Sequence, residues 1–302
     1  MPDRIFVSGW NPDRAVAARA GYLQSGRYAT VTAGTDSPSA HSLAQYVIRE
    51  MEQGQAGTCW VHSGVCLAET LASAQGYDAF PICRRLVGYV GKQLDGGGNP
   101  SSGGTCTDAI LSMTTEKGAG IAHESLCPYS DNFQTLGTKP PQAAYDDAKK
   151  SHIVMPVDIT SDDQARKMIA SGYPVSIGMW WPYGFANEQT FMTSIGRGTY
   201  GHALTIIGYV QPGVWPGDYG KYGWWQIRNW YGMLYPPLAP ELAVLLPGYK
   251  SDTATKTSDF WCRYDLLTTL QGYNGFEYVS ATDLTGLTKK IVETSFSEAF
   301  PV

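Results

Sequence analysis

Cys59 lies in a stretch of sequence that could make a cysteine reactive, Gln53-Gly54-Gln55-Ala56-Gly57-Thr58-Cys59-Trp60. The pattern predicts a loop in which Gly57 allows a tight turn, followed by a helix that Thr58 could cap and Gly76 could end. One face of this predicted helix carries the apolar residues Trp60, Val61, Val65, Ala68 and Ala72. A cysteine at a helix N-terminus lies at the positive end of the helix dipole, which favours thiolate over thiol. The stretch therefore predicts a nucleophilic thiolate at Cys59.

Two later segments supply a histidine and an asparagine in apolar, strand-like surroundings. They are Gly201-His202-Ala203-Leu204-Thr205-Ile206-Ile207-Gly208-Tyr209 and Ile227-Arg228-Asn229-Trp230-Tyr231-Gly232. With the cysteine stretch, they resemble papain-like cysteine peptidases, in which a distant His and then an Asn follow the nucleophile. The distance from Cys59 to His202 falls within the range of that family, and the distance to Asn229 exceeds it by about twenty residues.

The resemblance implies a catalytic role for four residues. Cys59 would be the nucleophile, and His202 would be the general base and acid that forms a thiolate–imidazolium pair with it. Asn229 would accept a hydrogen bond from the His202 ring and hold its orientation. Gln53 and the backbone N–H of Cys59 would donate to the oxyanion of the tetrahedral intermediate. The other four histidines lack this context, and His62 is expected on another part of the surface.

The resemblance also implies an aromatic screen and a substrate groove. Trp230 and Tyr231, with Trp60 beside the nucleophile, would keep water away from the histidine–asparagine hydrogen bond. Here the sequence departs from the family's usual Asn-Ser-Trp-Gly. A Gly-Gly segment would pair with the substrate backbone, because no Cβ stands in the way. The implied substrate-binding residues are Gly103, Gly104, Thr105, Cys106, Gly178 and Ala203.

Composition limits the possible partners. The chain has 302 residues with 43% hydrophobic and 16% charged, and a net charge of −5 that argues against binding to nucleic acid or anionic membranes. No stretch is apolar enough to span a membrane, and the N-terminus lacks the apolar core of a signal peptide. The six cysteines form no zinc-type spacing, and the resemblance implies neither metal nor cofactor.

The expected compartment follows from the position three residues before Cys59. Secreted relatives of the family carry a disulfide-forming cysteine there, whereas this chain has Ala56. Free thiols in a reducing compartment are the simpler expectation. The chain is accordingly expected in a cytoplasm or within a viral particle.

The sequence divides into five predicted parts around an α+β, papain-like fold. Residues 1–40 form an arm too short and neutral for the family's propeptide, and residues 281–302 form a tail. The domain between them has a helical lobe at about 41–150 and a β lobe at about 151–280. The first lobe includes a predicted helix at His41 to Glu52. Residues 234–258, rich in proline, look like an insertion into the β lobe.

Three functions remain open at this stage. The first is hydrolysis of peptide bonds through an acyl-enzyme, with a peptide or protein as substrate. The second is a structural component of a larger assembly, such as a virion, that kept the fold and lost turnover. The third is an acyltransferase or amidase with the same residues. The insertion could narrow the cleft, cover the end of the β lobe, or dock a partner through the apolar residues Leu242, Val244, Leu245 and Leu246.

Overall fold

The computed structural model describes Gly9, Asn11, Arg14 and the ranges 37–181, 189–193, 200–249, 256–271, 277–281 and 284–288. Most of the predicted arm, residues 250–255 of the predicted insertion and the end of the predicted tail lie outside the described residues. Within the described part of the chain, no helix is both long and apolar enough to cross a membrane.

The first half of the described chain is mainly helical. Its helices are α1 (Cys59–Ala74), α2 (Arg84–Leu94), α3 (Cys106–Ser112), α4 (Phe133–Gly137) and α5 (Gln142–Ala148). Helix α1 is buried on every side from Cys59 to Ala72, so it is the central helix of this lobe. A Cβ on Gly64 would lie 2.7 Å from the Cβ of Ala109, so this glycine allows α1 and α3 to approach closely.

The second half is built on a large sheet. Its strands are β1 (Ala40–Ser42), β3 (Pro156–Asp158), β4 (Val175–Trp181), β5 (Phe191–Met192), β6 (Tyr200–Val210), β7 (Trp224–Arg228), β8 (Asp259–Arg263) and β9 (Glu277–Ala281). The order across the sheet is β3-β9-β4-β6-β7-β8-β5, with β1 also paired to β6. A separate pair joins β2 (His152–Ile153) to β10 (Leu284–Thr285). Strand β6 is long and apolar, and it forms the middle of the β lobe.

Short helices flank the sheet. They are α6 (Asp162–Ala170), α7 (Pro240–Ala243) and α8 (Tyr264–Gln271). The side chain of Ser161 accepts a hydrogen bond from Gln164 N at 3.1 Å, as the sequence predicts for the start of α6. The predicted helix from His41 to Glu52 is wrong. This segment instead forms β1 and a short 3₁₀ turn, because residues 40–42 pair antiparallel with β6.

Buried hydrogen bonds of Ser63, a residue of α1, connect the two lobes. Ser63 Oγ donates to Leu204 O at 2.5 Å, and Ser63 O accepts from Ser176 Oγ at 3.2 Å and Thr205 Oγ1 at 3.1 Å. A second connection runs from β9, where the Glu277 carboxylate accepts from the first backbone N–H groups of α3. Helix α1 is therefore attached to β4 and β6 by side chains as well as by apolar packing.

The proline-rich segment 234–258 packs against the sheet where it is described. Leu242 and Leu246 are buried in a cluster with Trp215, Trp224 and Trp261. Val244 and Leu245 are exposed. Two of the four predicted docking residues therefore belong to the protein's own core.

Candidate active site

Cys59 is the first residue of α1 and is fully buried. Its Sγ accepts a hydrogen bond from the backbone N–H of Ala203, at 3.4 Å, on strand β6. Thr58 is the N-cap residue, but its side chain makes no capping hydrogen bond and instead meets Tyr129 Oη at 2.7 Å. The start of α1 thus brings the thiol directly against the β lobe.

His202 lies on β6 and Asn229 directly follows β7, the neighbouring strand, and a hydrogen bond joins the two side chains. The distance from His202 Nε2 to Asn229 Oδ1 is 2.8 Å. Trp230 N donates to the same oxygen at 2.7 Å, and Asn229 Nδ2 donates to the Tyr235 hydroxyl at 2.6 Å. These partners fix which end of the amide faces the imidazole. Because an amide oxygen can only accept, the His202 proton resides on Nε2, and Nδ1 keeps its lone pair.

Aromatic rings enclose this imidazole. Tyr231 stacks on His202 with the ring centroids 4.7 Å apart, and its hydroxyl lies 3.4 Å from Nδ1. Trp181 packs edge-on at 5.0 Å. Trp230 donates through its indole N–H to Ala203 O at 2.8 Å. No sequence motif marks Trp181, which is the last residue of β4.

The described contacts of Trp60 differ from those expected for a member of the aromatic screen. Its indole N–H donates to Pro100 O at 3.2 Å. A Cβ built on Gly104 would lie 2.7 Å from its ring, and a Cβ on Gly91 would also lie 2.7 Å from it. Trp60 therefore supports the glycine segment and the packing of α2.

Gly9 covers the thiol. A Cβ at this position would lie 2.8 Å from Cys59 Sγ and 2.4 Å from Gly57 O, so only glycine fits. Gly104 N donates to Gly9 O at 2.9 Å, and Asn11 N donates to Gly104 O at 3.0 Å. This alternation is the pattern of a parallel pairing between the two chain segments.

Arg14 anchors the same part of the chain to the helical lobe. Its Nε forms an ion pair with Asp95 at 2.7 Å, and its Nη2 donates to Leu94 O at 3.3 Å. The same Nη2 lies 3.6 Å from the buried carboxylate of Asp108. Burial raises the pKa of Asp108 to about 6, against the hydrogen bond from Thr105 and the nearby Arg14 charge. Sequence reasoning missed this anchoring, because nothing in the arm's pattern marks it.

Burial dominates the electrostatics of the covered site. It raises the pKa of the Cys59 thiol to about 12, although backbone N–H groups oppose the shift. Burial likewise lowers the pKa of His202 to about 4, against the hydrogen bond to Asn229. Near neutral pH the pair is therefore thiol and neutral imidazole. Burial therefore opposes the predicted thiolate–imidazolium pair in this covered arrangement, because desolvation disfavours the charged form of both groups.

Gln53 lies at the start of the loop that leads to Cys59. Its backbone N–H donates to Trp230 O at 2.9 Å, and its side-chain Nε2 donates to Ala56 O at 3.0 Å. Nε2 carries two hydrogens, and Ala56 uses one of them. The Oε1 atom is buried without a hydrogen-bond partner.

The predicted substrate residues separate into two groups. Gly104 presents its backbone to Gly9 and Asn11, whereas Thr105 and Cys106 form the buried start of α3. Thr105 Oγ1 accepts from Asp108 N at 2.9 Å as the cap. Gly103 adopts a φ of 87° and its carbonyl accepts from Lys92 Nζ at 3.0 Å.

Gly178 and Ala203 face each other in the sheet. They are paired between β4 and β6, and Gly178 is also paired with Glu277 of β9. The sequence analysis did not identify Glu277, whose carboxylate binds the start of α3. Among the described residues, no group of three or more His, Cys, Asp or Glu side chains could hold a metal ion.

Comparisons with known proteins give the same architecture. No family model matches the sequence, and no curated protein matches it either. Among solved structures, xylellain, a cysteine protease from Xylella fastidiosa, superposes with a TM-score of 0.68 over 93% of this chain and 98% of that chain, at 16% identity. Procathepsin B S9 from Trypanosoma congolense gives 0.62 over 92% and 86%, at 14% identity. Digestive procathepsin L 3 from Tenebrio molitor gives 0.58 over 85% and 74%, at 13% identity.

The chain therefore has the fold of papain-like cysteine peptidases. The α+β prediction with a helical lobe and a β lobe is confirmed. At these identities the likeness shows the fold alone, and the chemistry depends on the residues described above.

Proposed function

We propose that this protein hydrolyses peptide bonds with Cys59 as its nucleophile. The observation that carries the proposal is that the Cys59 thiol, at the start of α1, contacts strand β6 of the other lobe beside His202. Cys59 Sγ lies 3.4 Å from the N–H of Ala203, and the preceding residue, His202, is held by Asn229 at 2.8 Å. A thiol, an imidazole whose Nδ1 carries a lone pair and an orienting amide are the parts that acyl transfer requires.

The proposed reaction proceeds in two halves. The sulfur attacks the carbonyl carbon of the substrate while its proton moves to His202 Nδ1, which gives a tetrahedral oxyanion. The backbone N–H of Cys59 and the second N–H of Gln53 Nε2 stabilise that oxyanion. The C–N bond then breaks, and the leaving amine takes the proton from Nδ1. Water attacks the resulting thioester, gives its proton to Nδ1 and releases the acid when the C–S bond breaks and the sulfur regains a proton.

An extended peptide is the substrate form that the site supports best. The backbone of Gly104 already pairs with backbone atoms of Gly9 and Asn11. Pairing of this kind recognises the main chain of a peptide and leaves specificity to side chains. A peptide or protein substrate would take the place of these residues along Gly103 and Gly104.

The test is turnover of a mixed peptide library by the full-length chain, followed by mass spectrometry. We expect cleavage that a Cys59→Ser substitution abolishes and a Cys262→Ser substitution leaves unchanged, because Cys262 is buried in the core of the β lobe. Incubation with an added amine distinguishes the acyltransferase alternative, since a new amide would then form in place of the acid. Cleavage that persists in Cys59→Ser would contradict the proposal.

A second candidate is a structural component of a larger assembly with little or no turnover. The observation that favours it is the cover over the thiol, since Cys59 and His202 are both fully buried. Val244 and Leu245 are the exposed residues of the segment that could dock a partner. This candidate predicts no turnover even after the cover is displaced.

A further inference from the structure

Tyr129 contacts both ends of the loop that leads to Cys59. Its hydroxyl donates to the backbone carbonyl of Gln53 at 2.8 Å. The same hydroxyl lies 2.7 Å from Thr58 Oγ1. Gln53 and Thr58 border the turn that sets the position of Cys59, so one oxygen atom joins the two ends of this turn.

The direction of these hydrogen bonds follows from proton counting. A carbonyl oxygen can only accept, so the single phenol proton of Tyr129 points at Gln53 O. The Thr58 hydroxyl must then donate to the Tyr129 oxygen. Burial raises the pKa of Tyr129 to about 12, so the phenol keeps this proton at neutral pH.

Neighbouring side chains hold the Tyr129 ring in place. The Arg84 guanidinium lies 4.2 Å from the ring centroid, and the His62 ring meets it edge-on at 4.9 Å. Arg84 Nη1 lies 3.1 Å from His62 Nε2, and His62 Nδ1 lies 2.9 Å from Thr58 O. Because a guanidinium only donates, His62 is neutral with its proton on Nδ1, which points at Thr58 O. His62 is thus fully buried beside the site, and its predicted surface position is wrong.

Ion pairs between arginine and glutamate side chains hold this network in place. Arg84 Nε donates to the Glu124 carboxylate at 3.0 Å, and Arg49 Nη2 donates to the same carboxylate at 3.0 Å. Arg49 in turn pairs with Glu69, a buried residue of α1. The ring of Tyr129 is therefore fixed relative to α1 by groups outside the reacting atoms.

We propose that Tyr129 is a positioning residue that holds the two oxyanion donors, Gln53 and the backbone N–H of Cys59, at their working separation. The inference rests on the proposed function, because these donors matter only when an acyl group is transferred. Without the phenol hydroxyl, Gln53 O and the Thr58 hydroxyl lose their shared hydrogen-bond partner. The loop between the two donors is then held in position less rigidly. Donors that stabilise only the transition state affect kcat more than KM.

The main experiment compares Tyr129→Phe with the wild-type full-length chain. We expect kcat for a peptide amide to fall about tenfold with KM nearly unchanged. The affinity of a peptide aldehyde should fall about tenfold too, because its adduct places an oxygen between the same donors. Alkylation of Cys59 by iodoacetamide should stay at the wild-type rate, since that reaction forms no oxyanion.

Tyr77→Phe is the matched control. Tyr77 is also partly buried, and its hydroxyl also donates to a backbone carbonyl, that of Leu284 at 3.2 Å. This variant should keep wild-type kcat, aldehyde affinity and alkylation rate. A second pair tests the network if Tyr129→Phe fails to fold. Thr58→Val should weaken aldehyde binding, and Thr58→Ser should restore it because the hydroxyl is kept.

The outcomes separate this inference from the proposed function. Wild-type kcat and aldehyde affinity in Tyr129→Phe would overturn the inference, as would an equal loss of alkylation and turnover. If the wild-type chain hydrolyses no peptide, the proposed function fails, and the aldehyde affinities still test the positioning. Weaker aldehyde binding in Tyr129→Phe and Thr58→Val, with the alkylation rate of Cys59 unchanged, supports the positioning role of Tyr129.

Discussion

Replacing Gly9 with alanine should expose the thiol of Cys59. The added methyl group would lie 2.4 Å from Gly57 O and 2.8 Å from Cys59 Sγ. Contacts this short to a backbone atom cannot be relieved by a side-chain rotation, so the segment must move away. The rest of the domain should fold normally, because the described contacts of Gly9 are confined to Gly57, Cys59 and the Gly103–Gly104 segment.

The size of the effect follows from the pKa of the thiol. With Gly9 in place the pKa is about 12, against an ordinary value of 9.0. At pH 7 these values correspond to about one thiolate in 10⁵ molecules and about one in 10². The alkylation rate should therefore rise by up to about a thousandfold, the value reached when the thiol regains its ordinary pKa, since the thiolate is the reacting species. A His202 imidazole freed from burial would increase the rate further by pairing with the thiolate.

The assay is the second-order rate of iodoacetamide labelling at Cys59, followed by mass mapping of the adduct. Arg14→Ala should give a smaller increase, because it removes the ion pair with Asp95 and leaves the pairing with Gly104 intact. Gly9→Ala combined with Cys59→Ser gives the background of the other thiols. A wild-type labelling rate in Gly9→Ala would refute the reasoning, since the thiol would then be shielded by something other than Gly9.

Three further results are expected. Tyr235→Phe should lower the free energy of unfolding by about 1–3 kcal/mol, because it leaves a buried N–H of Asn229 without a partner; urea titration measures this, and an unchanged midpoint would contradict it. His202 and His62 have pKa values lowered by burial to about 4 and about 3, so the stability that they confer is present above their ordinary value of 6.5. It should be lost as the pH falls through those lowered values, and His202→Gln should reduce this loss. Replacing residues 236–256 with a Gly-Ser linker should lower Tm through the loss of three buried leucines, Leu238, Leu242 and Leu246, whereas loss of a co-purifying partner at constant Tm would support docking.

The elements that carry Cys59, His202 and Asn229 could be predicted because each has a strong local pattern. The glycine turn and apolar spacing mark the start of α1. The run Thr205-Ile206-Ile207 marks β6, and the aromatic pair Trp224-Trp225 followed by Ile227 marks β7. Once the elements are in the right order, the fold places the two strands side by side, and the hydrogen bond between imidazole and amide follows.

The missed features depend on contacts between distant parts of the chain. Residues 40–42 have no strong strand signal, and pairing with β6 decides their conformation. Thr58 is a residue type that commonly caps helices, yet its hydroxyl forms a hydrogen bond with Tyr129 instead. The position of Gly9 over Cys59 joins residues fifty apart in sequence, and no periodic pattern encodes such a contact.

The buried hydrogen bonds of Ser63 restrict how far the two lobes can separate. One residue of α1 contacts β4 and β6 through three hydrogen bonds, all shielded from water. Separating the lobes would break all three at once and leave buried polar groups without partners. The domain therefore resists a hinge-like separation of the two lobes at Ser63. Under the proposed function, displacement of Gly9 from Cys59, rather than separation of the lobes, would admit a substrate.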